Sequence, residues 1–344
     1  MGDRIALTCI GLVSPAASSL ESFARVRGAE ADGAPGGGRM LPLQDFDPGR
    51  YLGERGFKYL TPATQYALAA ASLALEDAGV GDHYRGEERG VVLGTNFAVW
   101  SVLADMDATI LRHGADHIRP IEAANFSVNI PASQVSIRYG FHAFNVTITT
   151  ARIAGLEAVA LGAECLRRGR ARMVLAGALE GRAPEALQGH FSAPIAEGAA
   201  CLVVLEPLSA ARARGARIHG EIGPSLFRFW PAVLEGLSAP EENGWSDGVL
   251  AELVGPGMSP VHLFEGGRCC PRCERLAQIV GDAASSAGRR VERHVLSDRL
   301  GECSTVSPMM QILDFCRSGL EAGLVVAASP QGHAALSGWL RAAA

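Results

Sequence analysis

The chain has 344 residues, 48% hydrophobic and 19% charged, enough apolar material for one large core or two fused halves and too little charge for a disordered chain. A formal net charge of -5 supplies no basic field, which argues against nucleic acid as a partner. The first residues lack a cationic start followed by an apolar region, and no later run of about 18 apolar residues appears, so a soluble cytoplasmic protein with reduced cysteines is expected.

In chain order, residues 5–10 read as a strand and the glycine-rich stretch ADGAPGGGR at 31–39 as a loop. TPATQYALAAASLALEDAG predicts a helix. Thr61 caps it, Pro62 takes the first turn, Leu68, Ala71, Leu75 and Ala78 make one face, and Gly79 stops it. RGVVLGTNF at 89–97 is a buried strand ending in a small-residue turn. A helix over 99–111 follows, with Val99, Leu103, Met106 and Ile110 on its apolar face, of which the Leu103, Met106 and Ile110 stripe is expected to be ordinary core.

Residues 146–150 are a β-branched strand, and from Arg152 the apolar residues Leu156, Val159, Ala160, Ala163 and Leu166 recur at helical spacing until Arg167, Arg168 and Gly169 end the run. The apolar run at 173–176 is a further strand, buried on both faces. A thiol on the first helical residue of such a unit would feel the positive helix end and ionise readily, so the corner suits a cysteine nucleophile. Arg152 stands there instead. A guanidinium stays protonated and cannot attack a thioester.

The pattern recurs in CSTVSPMMQILDFCRSGLEAGLVVAAS at 303–329, and setting Gly169 against Gly319 gives an offset of 319 − 169 = 150 residues. Two related halves are expected, joined near 206–222. Within CCPRC at 269–273, Cys270 and Cys273 form a CxxC, but no second pair or HxxxH follows, so zinc at Cys269, Cys270 and Cys273 stays open only as the lesser reading, and no cofactor is expected. Cys303 reads as a buried structural thiol, and His190, His219, His262, His294 and His333 as satisfied or solvated side chains without a nucleophile at motif spacing. The basic run RGRARM at 168–173 suits a helix C-terminus and offers, as a second reading, a dock for an acidic carrier protein.

TPATQYALAAASLALEDAG, VVLGTNF, NIPASQVSIRYGFHAFNVTITTARIAGLEAVALGAECLRRGRARMVLAGALEG, IAEGAACLVVLEPLSAARARGARIHGEI, FEGGRCC, LGECSTVSPMMQILDFCRSG and LVVAASPQGHAAL, in that order, resemble the β-ketoacyl-ACP synthases, or ketosynthases, of the thiolase superfamily over most of the chain. The resemblance implies an α/β fold, a thiolase-like layered αβαβα sandwich of two related halves, residues 1–207 and a shortened 208–344. It also implies a dimer paired through the strand before the corner, where Thr147 and Thr149 lie, and a Cys with two His that decarboxylate malonyl-ACP. Carried over residue by residue, the nucleophile falls on Arg152 in TTARIAG, the first His on Glu265 in FEGGRCC, and the second on Glu302 in LGECSTVSP, 302 − 265 = 37 residues on. The family's Lys falls on Ser297, and its Phe-bearing gate is reduced to SPQGH at 329–333. Material is missing between Gly181 and Ala196 and between Ile222 and Phe264. Ionised carboxylates cannot donate to an enolate oxygen and would repel a malonyl carboxylate. Charge complementarity suggests that Glu265 or Glu302 holds Arg152.

A homologue that keeps the fold and dimerising strand but loses the nucleophile resembles the chain-length factor of type II polyketide systems, which usually carries Gln at that position. This implies a non-catalytic subunit in a heterodimer with a catalytically complete ketosynthase, acting on chains borne by an acyl carrier protein, aromatic or polyene. Trp100, Leu103, Met106 and Phe126 would then shape the acyl tunnel across the interface. Two other readings stay open: a thiolase-fold acyltransferase or hydrolase using Cys303 or Cys201, and a homodimeric scaffold.

Overall fold

The computed structural model describes residues 3–17, 19–43, 45–80, 83–120, 124–188, 194–229, 253, 259–265, 271–296 and 300–342, apart from 29–39. Its strands are β1 (Ile5–Val13), β2 (Met40–Leu41), β3 (Arg89–Gly94), β4 (Phe144–Ile148), β5 (Met173–Glu180), β6 (Ile195–Ala196), β7 (Ala199–Pro207), β8 (Gly220–Phe229), β9 (Val261–Glu265), β10 (Val291–Val295), β11 (Ala322–Ala328) and β12 (His333–Leu340). The longer helices are α1 (Pro62–Ala78), α2 (Trp100–His113), α3 (Ile130–Tyr139), α4 (Ala154–Arg167), α5 (Pro271–Ser286) and α6 (Ser307–Ser318).

Among the described residues, ten strands form one sheet in the order β10-β9-β11-β12-β8-β1-β7-β5-β3-β4, and β2 pairs with β6 apart from it. The sheet divides at a short seam where β1 meets β8, with Ala6 opposite Glu221 and Leu7 opposite Gly220. Outward from the seam each side repeats one pattern. β1–β7 and β7–β5 are antiparallel, then β5–β3 and β3–β4 parallel. On the other side β8–β12 and β12–β11 are antiparallel, then β11–β9 and β9–β10 parallel. This is the repeat that the two corner sequences signalled.

Three apolar clusters account for the layering. One lies in the middle, where Leu156 and Val159 of α4 meet Met309 and Leu313 of α6 between Val203 of one half-sheet and Val325 of the other. A second packs Leu68 and Ala71 of α1 on the outer face of the first half, against Val91, Leu175 and Val204. The third packs Leu276 and Val280 of α5 on the outer face of the second, against Leu263 and Val326. Helix, sheet, helix, sheet and helix alternate, the expected αβαβα sandwich. Helix α6 sits so deep that its residues from Ser307 to Phe315 are all buried. β5 is apolar throughout up to its terminal Glu180 because both its faces are covered.

Helix α1 starts and stops where the sequence places it. Thr61 Oγ1 accepts a hydrogen bond from Thr64 N at 3.2 Å, and Gly79 takes the left-handed conformation. β4 begins and ends two residues earlier than expected, since its last partner is Gly94, where β3 stops. The stripe on α2 differs more. Leu103, Met106 and Ile110, expected as core, are not buried, and Trp100 is 47% and Ile110 41% exposed; Val99, just ahead of the helix, is buried in the core of the first half. The periodicity correctly marks an apolar face, but α2 lies outside the five layers, and among the described residues that face stays partly open. Among the described residues, no helix is long and apolar enough to cross a membrane.

Candidate functional site

The corner after β4 is a tight 3-10 turn, Ala151–Ile153, that turns directly into α4. Ala151 holds a positive φ of 45°, which aims Arg152 inward rather than to solvent. Gly94 lets β3 run under the helix start, because a Cβ there would lie 2.5 Å from the carbonyl of Ala154. The second corner repeats the device with the turn Ser304–Val306, in which Ser304 has φ 49° and α6 follows at once. The corners are 304 − 151 = 153 residues apart and the glycine stops 150, so the second helix is three residues shorter from corner to stop. Gly155 brings the corners into contact, since a Cβ there would meet Thr305 O at 2.6 Å.

Between the corners lies a buried ion pair. Arg152 Nη1 donates to Glu302 Oε1, and both residues are almost wholly buried. The Glu302 carboxylate also accepts from Ser304 N at 2.9 Å and Ser307 Oγ at 3.2 Å. Its backbone is fixed as well, Glu302 N donating to Pro194 O at 2.7 Å and Ala196 N donating to Glu302 O at 2.9 Å. Glu265 takes a different partner, the Arg293 guanidinium, which donates through Nε and, at 2.7 Å, through Nη2. Side chains alternate along β9, so Glu265 shares a face with Leu263, on the side of α5, and Arg293 on β10 stands opposite Leu263. The structure therefore joins Arg152 to Glu302 and leaves Glu265 to Arg293.

Glu180, at the end of β5, is a site residue that the sequence reading passed over. Its carboxylate accepts from Thr95 Oγ1 at 3.1 Å, Asn96 N at 3.0 Å, Phe97 N at 2.7 Å and Thr305 Oγ1 at 2.8 Å. It thereby fastens the turn after β3 to the second corner. Burial pushes its carboxyl up to about 7, against the opposing pull of these donors. The signal was available: an acid ending an otherwise apolar strand must find several donors to be buried there.

Little room remains. A cavity of about 10 Å³, the space of roughly one water molecule, lies among Phe97, Glu180, Ala183, Ile195, Glu302 and Cys303. Cys303 is buried, and its thiol is pushed well up by burial and then by Glu302. Burial also raises the Cys201 thiol, which lies inside β7. Neither offers a thiolate at neutral pH. Cys273 is engaged with β11, its Sγ donating to Ala328 O at 3.1 Å. Cys269, Cys270, His190 and Ser297 lie outside the described residues. The SPQGH stretch is the turn joining β11 to β12, in which Ser329 N donates to His333 O at 2.8 Å.

The remaining candidates are at the surface. Trp100, Leu103 and Phe126 are exposed, Phe126 at 53%, and Met106 is half-buried. Thr147 is half-buried on β4, which among the described residues has β3 as its one neighbour and forms an end of the sheet, and Thr149 is exposed just beyond it. Of the basic run, Arg167 and Arg168 pair with Glu164, and Arg172 pairs with Glu88 at 3.1 Å while lying over the Tyr84 ring.

A doubled αβαβα sandwich with its two strained corners back to back defines a thiolase-type architecture. The likeness extends across the whole chain in two solved structures: a type II PKS acyl-carrier protein in complex with its ketosynthase bound to the hexaketide (TM-score 0.82, 21% identity, 99% of this chain and 100% of that one), and the ishigamide ketosynthase/chain length factor (TM-score 0.81, 18% identity, 100% of both). In sequence, the family described as Beta-ketoacyl synthase, N-terminal domain, matches residues 28–193. The tetracenomycin polyketide synthase ketoacyl synthase alpha subunit of Streptomyces glaucescens is 30% identical over 295 residues, covering 73% of this chain and 68% of that one. The chain belongs to the β-ketoacyl synthase family. It spans only 61% of the length of a 3-oxoacyl-[acyl-carrier-protein] synthase 2 from Vibrio harveyi.

Proposed function

We propose that this chain is a non-catalytic ketosynthase-like subunit, a chain-length factor, that pairs with a catalytically complete ketosynthase in type II polyketide biosynthesis and shapes the tunnel for a chain delivered by an acyl carrier protein. The Arg152–Glu302 pair carries this reading. It puts a group that cannot ionise to a nucleophile on the corner and an acceptor-only carboxylate where an imidazole donor would stand. Cys303 and Cys201 do not replace it, being buried and held as thiols. The cavity has no space for a thioester.

The surface supports a partner. Ile148 O accepts from Thr95 N, so the alternation of a strand turns the N–H and C=O of Thr147 to the open edge. Helices α3 and α4 both pack on β4 and carry Ile137, 75% exposed, and Leu161, 36% exposed. An open edge with apolar flanks favours pairing with another chain. The partly open stripe of α2 and Phe126 supply apolar surface for the partner's tunnel. Names of relatives agree with this setting: a ketoacyl synthase alpha subunit and a ketosynthase/chain length factor.

The test is co-expression with a complete type II ketosynthase and its carrier protein. A one-to-one complex is expected, with condensation depending on both chains and no acyl adduct on this one by intact-mass measurement. An acyl adduct on this chain, or a ketosynthase indifferent to its presence, would overturn the reading.

A further inference from the structure

At the far edge of the second half-sheet, His262 of β9 meets Glu292 and His294 of β10. β9 and β10 run parallel with His262 opposite Glu292 and Phe264 opposite His294. Alternation places all four on one face. The Phe264 and His294 rings accordingly stack at 4.6 Å. His262 Nδ1 lies 3.0 Å from His294 Nε2 and 3.5 Å from Glu292 Oε2, and one ligand atom from each of the three residues falls within 4.8 Å of the others. Arg290 holds the other oxygen, Glu292 Oε1, which orients the carboxylate and leaves Oε2 toward the imidazoles.

These spacings match the edges of a coordination shell. With metal–ligand bonds of about 2.0–2.1 Å, adjacent donors stand about 2.8–3.0 Å apart at a right angle and about 3.3–3.4 Å apart at a tetrahedral angle. A hydrogen bond between two imidazoles explains the 3.0 Å contact alone. It does not explain why a carboxylate oxygen is turned to the same nitrogen. Two imidazoles with one carboxylate suit zinc and neighbouring transition metals, whereas magnesium and calcium favour oxygen donors throughout. The paired histidines are partly or wholly buried, so the cluster is not a chance gathering of solvated side chains.

The geometry points to a site for one divalent transition-metal ion of the zinc class, held by His262, Glu292 and His294 with water completing its coordination. Such an ion would clip β10, which among the described residues has β9 as its one sheet neighbour, to the body of the second half.

The full chain, stripped with EDTA, is titrated with zinc chloride by calorimetry near neutral pH. One ion per chain is expected. Affinity should fall about tenfold or more in both Glu292→Gln and His294→Gln. The double variant Cys269→Ser, Cys270→Ser should keep it. Glu292 is partly exposed, so its Gln variant should fold, and circular dichroism checks this. The wild-type chain loaded with Co²⁺ gives a second readout independent of any variant: d–d bands without a thiolate charge-transfer band. No binding, binding unchanged in both ligand variants, or binding lost in the cysteine variant would overturn the site.

Discussion

Arg152 stands at a helix N-terminus, whose partial positive charge opposes it, and is removed from water. Glu302 offsets both penalties, and two further donors satisfy the carboxylate. Removing the arginine would leave Glu302 buried without its cation. Arg152→Cys should therefore lower stability by about 3–5 kcal/mol in urea unfolding and yield no condensing activity, since the neighbouring carboxylate would hold the new thiol protonated. Condensation by that variant alone would contradict the argument. Glu180 makes a separate prediction. Its folded pKa of about 7 lies above the ordinary 4.5 because burial penalises the charge. Below the lower value both folded and unfolded chains hold the proton; between the two only the unfolded chain has lost it. Its contribution to stability is present at low pH and declines as pH rises through that window, by about 3 kcal/mol in all. Glu180→Gln should lack this slope, so its stability relative to wild type should improve from pH 5 to pH 8 in paired unfolding curves.

Among the elements, β4 leaves an edge and α2 a face open among the described residues. The outward N–H of Thr147 makes no bond to β3, so Thr147→Pro should spare much of the intrachain ladder and remove a donor from the open edge. The expected result is loss of the complex on size-exclusion chromatography, with the isolated variant keeping a near wild-type circular dichroism spectrum. Retention of the complex would show that β4 is not the paired strand. Trp100 is half exposed, so Trp100→Ala should cost the isolated chain far less than the about 3–5 kcal/mol of a buried Trp. In the complex, the space freed should lengthen the product by at least one ketide unit. Product mass and melting temperature together decide, and a large stability loss with unchanged product length would assign Trp100 to packing.

For the whole molecule, the consequence of that open surface is association. Its apolar stripe and open edge should make the chain aggregate when expressed alone and recover when co-expressed with a ketosynthase, as light scattering of the two preparations would show. A monodisperse isolated monomer would count against an obligate partner.

Local chemistry made a good part of this protein legible. The cap at Thr61, the stop at Gly79, the strand and helix around Arg152 and their second occurrence at 303–329 all depend on residues within a few turns of each other, so the sequence alone determined them. The identity of Arg152 on the corner was likewise plain. Partner choice was not. Arg152 reaches Glu302 across 150 residues, Glu180 meets Thr305 across 125, and His262 meets His294 across 32. Which carboxylate holds the arginine depended on the alternation of β9 and on where the second corner folds back. The apolar stripe of α2 shows the same division. Periodicity fixed which residues share a face, while only the tertiary structure decided that the face stays partly open among the described residues, because burial depends on what the rest of the chain places against it.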